Sequence, residues 1–175
     1  MKLRERLWTY EDYARLEDDR RYEVIEGELL EMPAPRVLHQ EIIGRLFVAL
    51  FQFLKTKELG KVFISPVDVV FDEVNVFQPD LVFVSKERLH IVEDKGIFGT
   101  PDLVVEVVSP STFKRDTEDK RRLYERFGVK ELWLVFPEEK VVEVLTLKDK
   151  GYEVFSHAYE KGKVCSKLLD GFCVE

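Results

Sequence analysis

A short apolar run, residues 103–108, limits the possible folds of this chain more than any other segment. It lies between Thr100-Pro101 and Ser109-Pro110, and all of its residues except Glu106 are leucine or valine. Such a run is typical of a central strand that is covered on both faces of its sheet. Glu106 conflicts with this setting, because an ionised carboxylate in a buried strand needs a cation or a metal ion as its partner.

The overall composition predicts one folded domain. The length of 175 residues fits a single domain over residues 1–175, with one hydrophobic core. The net charge of −7 argues against a protein that coats nucleic acid non-specifically, although a local basic surface is compatible with it. The N-terminus lacks the apolar region of a signal peptide, and no uninterrupted apolar run reaches the roughly 18 to 20 residues of a membrane span. We therefore expect a cytoplasmic protein that does not bind membranes.

The two cysteines lie near the C-terminus. Cys165 and Cys173 have no CxxC spacing and no adjacent histidines, so the sequence indicates neither a zinc site nor a redox motif. We expect two free thiols.

The order of predicted elements indicates an α/β domain. Thr9-x-x-Asp12 resembles a capping box and predicts a short helix over residues 9–17, and residues 21–32 predict two strands that turn at Glu26-Gly27. Apolar residues at spacings of three and four predict a long helix over residues 38–54. The remaining predicted elements are strands in 61–71 (interrupted at Ser65-Pro66), 81–85, 103–109 and 131–136, a helix from Ser111 or Thr112 to Gly128, a hairpin in 141–155 and a short strand in the C-terminal tail.

Asp80 is a candidate partner of Glu106, since it opens the strand that follows Gln78-Pro79. Two carboxylates on neighbouring strands suit Mg²⁺, which is usually held by one or two carboxylates together with water and substrate phosphate oxygens. The alternatives are a structural ion pair for Glu106 and an ordinary turn position for Asp80. Asp102 is about 13 Å along the strand from Glu106, which is too far to share one metal.

The helix that follows this strand carries further candidates. Asp116, Lys120 and Tyr124 share one helical face, so Lys120 is expected on the side of the core. Lys120 either pairs with Asp116 as a snorkelling side chain, or directs its ammonium group at Glu106 to hold the attacking water. The opposite face of the same predicted helix carries Arg115, Arg122 and Arg126. These arginines either contact a polyanionic substrate or simply form a solvated face.

Two further residues are weaker candidates. His39 lies on the apolar face of the long predicted helix, where a histidine is more often a satisfied core residue than a functional one. Glu23 lies on the first predicted strand, and a single glutamate near a turn says little by itself.

Four segments, in this order, resemble the Uma-type family of restriction-endonuclease-like proteins in the PD-(D/E)XK nuclease superfamily. They are RYEVIEGEL, QPDLVFVS, PDLVVEVVSPST followed by D-x-x-x-K, and LYERFGVKELWLV, and the resemblance covers nearly the whole chain. It implies a restriction-endonuclease-like α/β fold with a central mixed β-sheet flanked by helices. It also implies that Asp80 and Glu106 are the two metal-binding acids and that Glu23 joins the site.

The chain departs from the superfamily pattern at one position. Val108 stands where the motif lysine is expected, and Lys120 on the following helix matches a displaced lysine. The resemblance thus predicts a nuclease that depends on Mg²⁺ or Mn²⁺ and acts on DNA. In it, Asp80 and Glu106 bind metal, Lys120 positions the water, Asp116 orients Lys120 and Glu23 contributes to catalysis. The residues predicted to contact the substrate are Arg115, Arg122, Arg126 and His39.

Two other functions agree with the same residues. The first is a nuclease-fold protein without catalytic activity that acts as a nucleic-acid-binding or regulatory module. The net acidic charge and the valine at position 108 favour this alternative. A metal-dependent hydrolase of a small phosphorylated molecule would show no dependence on polynucleotide length. By analogy with nucleases that cut two strands with two subunits, we also expect a possible homodimer.

Overall fold

Two six-stranded β-sheets, one two-stranded β-sheet and three α-helices form the described part, residues 6–175, of the computed structural model. The helices are α1 (Tyr10–Ala14), α2 (Val37–Lys57) and α3 (Arg121–Phe127). The strands are β1 (Tyr22–Ile25), β2 (Glu28–Glu31), β3 (Gly60–Ile64), β4 (Val69–Asp72), β5 (Asn75–Phe77), β6 (Leu81–Ser85), β7 (Val92–Glu93), β8 (Gly96–Phe98), β9 (Leu103–Val107), β10 (Glu131–Phe136), β11 (Val141–Lys148), β12 (Gly151–Tyr159), β13 (Val164–Cys165) and β14 (Cys173–Val174).

The main sheet has the strand order β12-β11-β10-β9-β6-β3. It is mixed, because β9 runs parallel to β10 and antiparallel to β6. The second sheet has the order β2-β1-β5-β4-β8-β7 and contains one parallel pair, β4 with β8. The prediction of a central strand at residues 103–108 is confirmed, since β9 has a neighbour on each side.

The side chains of β9 alternate between two separate cores. Leu103, Val105 and Val107 belong to a cluster that includes Ile43 and Leu50 of α2. The opposite face belongs to a second cluster that also contains Leu123 and Tyr124 of α3. Because both faces are covered, Glu106 is buried on the α3 side of the sheet.

Several local predictions are confirmed. The capping box of α1 forms between Thr9 and Asp12. The β1–β2 hairpin turns at Glu26 and Gly27, which both have positive φ as tight hairpin turns require. The second sheet was not anticipated, because β5, β7 and β8 are two or three residues long and carry too little periodicity to be recognised.

The helix after β9 differs from the simple α-helix that the sequence predicts. A 3₁₀ turn, Pro110–Thr112, precedes a π-helical segment, Arg115–Lys120, which continues directly into α3. A π-helical turn has wider hydrogen-bond spacing than an α-turn and is frequent at functional sites. The segment buries both Asp116 and Lys120, as the predicted helical face requires.

The expectation of two free thiols is wrong. Cys165 and Cys173 form a disulfide and lie directly opposite each other in the antiparallel β13–β14 pair. The tail folds back on itself between the two strands, which brings the cysteines into register. A separation of eight residues gives no hint of this hairpin without its strand pairing.

Helix α2 is long and apolar enough to cross a membrane by length and composition alone, a test that core helices of soluble proteins also pass. In this structure Ile43, Leu50 and Leu54 of α2 are buried against the main sheet. The same helix exposes Val48 and Phe51.

Candidate functional site

A cluster of buried charges is formed by side chains of β1, β9 and the π-helical segment and by the residue that directly precedes β6. It contains four carboxylates and one ammonium group, contributed by Glu23, Asp80, Glu106, Asp116 and Lys120. Their exposed fractions range from 0% for Glu23 to 8% for Asp80. Sequence reasoning proposed all five residues, and the structure brings them together from distant parts of the chain.

Lys120 is the centre of this cluster. Its Nζ lies 2.5 Å from Oε1 of Glu106, 2.8 Å from Oε1 of Glu23 and 3.8 Å from Oδ1 of Asp116. Burial lowers the pKa of Lys120, but the three carboxylates raise it more, so the net pKa lies above the usual value. The side chain therefore stays an ammonium ion and compensates part of the buried negative charge.

The two glutamates are each anchored through one oxygen. Oε1 of Glu106 accepts a hydrogen bond of 2.5 Å from the hydroxyl of Tyr124 in addition to the contact with Lys120. Oε1 of Glu23 accepts from Lys120 and from the backbone N–H of Gln78 at 2.8 Å. Among the described residues, neither Oε2 atom has a hydrogen-bond partner, and Oε2 of Glu23 is fully buried.

Asp80 follows the same pattern. Its Oδ2 accepts a hydrogen bond of 2.6 Å from the backbone N–H of Val107 and lies 3.5 Å from Nε2 of His39. Oδ1 has no hydrogen-bond partner within the described part of the chain. Burial lowers the pKa of His39, but the hydrogen bond to Asp80 and its negative charge raise it more, so the net pKa is above the usual value.

The cluster has a surplus of negative charge. Burial raises the pKa of Glu106 well above its usual range, although the Lys120 ammonium opposes this shift. Burial also raises the pKa of Asp116 to about 6, again against the effect of Lys120. A single ammonium group does not compensate four carboxylates, so additional protons or another cation would stabilise the cluster.

The acids open into a cleft of about 220 Å³. Glu23, Asp80, Glu106 and Asp116 all line it, whereas Lys120 lies behind them and does not. A molecule in the cleft would thus meet carboxylate oxygens first. The rest of the lining includes His39, Arg21, Arg115 and the segment from Ser109 to Thr112.

Asp80 and Glu106 fit a hard divalent cation in their donor chemistry. Each is held through one oxygen and keeps a second oxygen that has no hydrogen-bond partner among residues 6–175, and carboxylate oxygens are preferred ligands of Mg²⁺. Among residues 6–175 no group of three His, Cys, Asp or Glu side chains is arranged as a metal centre. An ion would therefore depend on these two carboxylates, water and substrate oxygens, a combination usual for Mg²⁺.

The predicted arginine stripe is only partly at the site. Arg115 lines the cleft. Arg122 instead forms an ion pair of 2.7 Å with Glu26, and Arg126 lies 3.8 Å from Asp72, both outside the cleft. The structure thus separates the three arginines that the helical pattern grouped.

Sequence reasoning missed two residues of the site, and each had a usable signal. Tyr124 is one helical turn after Lys120, so its contact with Glu106 follows from their shared face. Arg21 precedes Glu23 by two residues, and residues two apart along an extended chain point to the same side.

Asp102 lies outside this site. Its carboxylate accepts a hydrogen bond of 2.8 Å from the backbone N–H of Ser85 and lies 3.3 Å from both Arg88 and Lys130.

Comparisons with known proteins support the resemblance seen in the sequence. The sequence model of the Uma2 family, described as putative restriction endonuclease, matches residues 10–171. The structure resembles the crystal structure of a putative nuclease from Anabaena variabilis ATCC 29413, with a TM-score of 0.71 and 22% identity over 84% of this chain and 83% of that chain. At this identity the similarity establishes the fold alone and confirms the predicted restriction-endonuclease-like α/β fold. No curated protein matches the sequence.

Proposed function

Because the chain belongs to the Uma2 family of putative restriction endonucleases, we propose that it is a metal-dependent nuclease that hydrolyses phosphodiester bonds in DNA. The observation that carries this proposal is the pattern of anchored and free oxygens. Asp80 and Glu106 both line the cleft, and in each of them the protein fixes one carboxylate oxygen. The other carboxylate oxygen of each residue has no hydrogen-bond partner among the described residues. This is a preorganised set of oxygen donors for Mg²⁺ or Mn²⁺.

Asp80 and Glu106 would hold the ion. When bound, it would supply Lewis-acid stabilisation of phosphate charge and acidification of a water molecule. The protein's own contribution is to keep the donor oxygens in place: the N–H of Val107 fixes Asp80, and Lys120 with Tyr124 fixes Glu106. Such fixed geometry reduces the reorganisation needed as the reaction proceeds.

Lys120 would act through the two glutamates. The sequence-based hypothesis has it hold the attacking water, but its Nζ lies behind the carboxylates that line the cleft. We infer that it positions Glu23 and Glu106 and offsets their charge. Asp116 would orient Lys120. Its Oδ1 lies 3.8 Å from Nζ, and its Oδ2 accepts a hydrogen bond of 2.7 Å from the hydroxyl of Thr112.

Glu23 is the candidate acceptor of a proton from water. Its Oε2 is buried, has no described hydrogen-bond partner and belongs to a side chain that lines the cleft. In the proposed reaction, water attacks the phosphorus atom, one P–O ester bond breaks, and the leaving oxygen takes a proton. The products are a phosphate monoester and a hydroxyl group.

The first test combines calorimetry and cleavage. Mn²⁺ is titrated into the wild type, Asp80→Asn and Glu106→Gln, and each protein is then incubated with plasmid and single-stranded DNA in Mg²⁺ or Mn²⁺. We expect binding and cleavage by the wild type, with cleavage reduced at least about 100-fold in both variants, which is the scale of losing one such electrostatic contribution. Asp102→Asn, which changes a buried acid outside the cleft, is the control. Undiminished cleavage by Asp80→Asn and Glu106→Gln would refute the proposal.

A nucleic-acid-binding protein without catalytic activity is the second candidate. The engagement of Lys120 by Glu23 and Glu106, together with Val108 at the position of the motif lysine, favours it. DNA binding by the wild type without cleavage in either metal would support this candidate. Hydrolysis that is independent of polynucleotide length would instead indicate a small phosphorylated substrate.

A further inference from the structure

Two arginines border the acidic cleft on the side of Glu23. Arg21 lies directly before β1, two residues from Glu23, and Arg115 begins the π-helical segment. Both line the cleft. Two different elements thus each contribute one arginine to the lining of the same cleft.

The hydrogen-bonding capacity of Arg21 is largely unused. A guanidinium group has five N–H donors. Nε of Arg21 donates to Oε1 of Gln78 at 3.0 Å, and Arg21 forms no ion pair with any carboxylate in the described part of the chain. Its terminal nitrogens have no acceptor among those residues.

Arg115 is similarly undersatisfied in a more buried position. Its side chain is 18% exposed. Its Nη1 has only long contacts: 3.5 Å to the carbonyl oxygen of Glu31, 3.5 Å to Sδ of Met32 and 3.8 Å to Oε2 of Glu23. Withdrawing a cation from water without good acceptors is costly, so this position favours a ligand that supplies them.

The other arginines near this region already have partners. Arg36 also lines the cleft but pairs with Glu138 at 3.0 Å, and Arg122 pairs with Glu26. Arg21 and Arg115 therefore stand out as the lining cations with free capacity. An anionic ligand needs them, because the four carboxylates of the cleft would otherwise repel it.

We propose that Arg21 and Arg115 clamp a backbone phosphate of a polynucleotide, next to the phosphate that is hydrolysed. Guanidinium groups bind phosphate through two parallel N–H donors, which gives both affinity and orientation. The inference rests on the proposed function, since it assigns the substrate contacts of the same cleft. It also defines the substrate class as a chain with at least one phosphate beyond the scissile one.

The test measures binding without cleavage. A fluorescein-labelled single-stranded DNA of about 20 nucleotides, longer than the usual site of one binding domain, is titrated in EDTA by fluorescence anisotropy at several KCl concentrations. Arg21→Ala and Arg115→Ala should each weaken binding about tenfold, the scale of one hydrogen bond to a charged group. Replacing both arginines with alanine should also lower the slope of log K against log [KCl] by about 0.7, because the contact with the one clamped phosphate is then lost.

Matched variants separate the clamp from general effects. Arg21→Lys and Arg115→Lys should keep the salt slope while losing affinity, because lysine retains the charge but not the planar fork. Arg122→Ala removes an arginine outside the cleft and should leave affinity and slope unchanged. Thermal unfolding of every variant establishes that the binding measurements compare folded proteins.

The outcomes distinguish the clamp from the hydrolysis that it would serve. Three results would overturn the clamp. The first is a DNA affinity and salt slope in Arg21→Ala and Arg115→Ala that equal those of the wild type, and the second is an equal loss of DNA affinity in Arg122→Ala. The third is no binding of DNA by the wild type. Displacement of the DNA by equimolar inorganic phosphate would also overturn it, in favour of a free-phosphate site. If the variants behave as expected but the wild type cuts no DNA in Mg²⁺ or Mn²⁺, the clamp stands and the proposed hydrolysis fails.

Discussion

Replacing Lys120 with methionine removes the ammonium group that contacts Glu23, Glu106 and Asp116 at the centre of the acidic cluster. Methionine is similar in length and retains the packing of the lysine stem, so the main change is the loss of the ammonium group. The contacts of 2.5 Å with Glu106 and 2.8 Å with Glu23 disappear, and both carboxylates stay buried. Removing one partner of a buried ion pair typically costs about 3–5 kcal/mol.

This cost is large compared with the total stability of a domain, which is about 5–15 kcal/mol. At about 2–4 °C per kcal/mol for a chain of this size, the variant should unfold roughly 6–20 °C below the wild type at pH 8. The measurement is urea and thermal unfolding at pH 5 and pH 8, with Lys114→Met, a change of an exposed lysine, as the control.

The deficit should be smaller at pH 5 than at pH 8. Burial already raises the pKa of Glu106 and that of Asp116, the latter to about 6, and losing Lys120 removes the interaction that opposes both shifts. When the folded-state pKa of an acid is above its unfolded value, the folded state binds more protons, so stability falls as the pH rises through that interval. A Lys120→Met protein as stable as the wild type at pH 8, or one whose deficit grows toward pH 5, would refute the role of Lys120. Adding Glu23→Gln should recover part of the loss.

Three further predictions concern other parts of the molecule. Tyr124→Phe should cost about 1.5–3 kcal/mol in urea unfolding, because a buried hydrogen bond to Glu106 is lost, and should weaken Mn²⁺ binding in calorimetry; unchanged values in both assays would contradict this. Burial raises the pKa of Asp102, but its hydrogen bonds and cationic partners lower it more, so the net pKa lies below the usual value. The ionised carboxylate therefore stabilises the folded state above pH 3.8, and this contribution is lost as the pH falls through the lower folded-state pKa. Asp102→Asn should therefore be less stable than the wild type at pH 7, by an amount that shrinks as the pH is lowered below 3.8 in urea unfolding, and a deficit that stays constant with pH would contradict the assignment. Cys165→Ser with Cys173→Ser should lower stability by about 2–3 kcal/mol, since the disulfide closes a short loop, and thiol titration of the unfolded wild type before and after reduction checks the bond.

Local patterns were sufficient for much of the fold. The capping box of α1 and the turn at Glu26 and Gly27 depend on residues that are neighbours in the chain, so the sequence alone predicts them. The nearly continuous apolar run of residues 103–108 predicted a central strand with two covered faces, and the structure has one there. The short strands of the second sheet were missed, because their conformation comes from pairing with distant strands rather than from their own composition.

The candidate site divides in the same way. Residue type and helical spacing were enough to select Glu106, Asp80 and an inward-facing Lys120 as a group with possible chemistry. Only the tertiary structure decided that Lys120 reaches Glu23, 97 residues away, and that Arg21 rather than Arg122 borders the cleft. The physical reason is that periodicity determines which face of an element a residue occupies, whereas the partner on the other side of that face depends on how elements distant in the chain pack together.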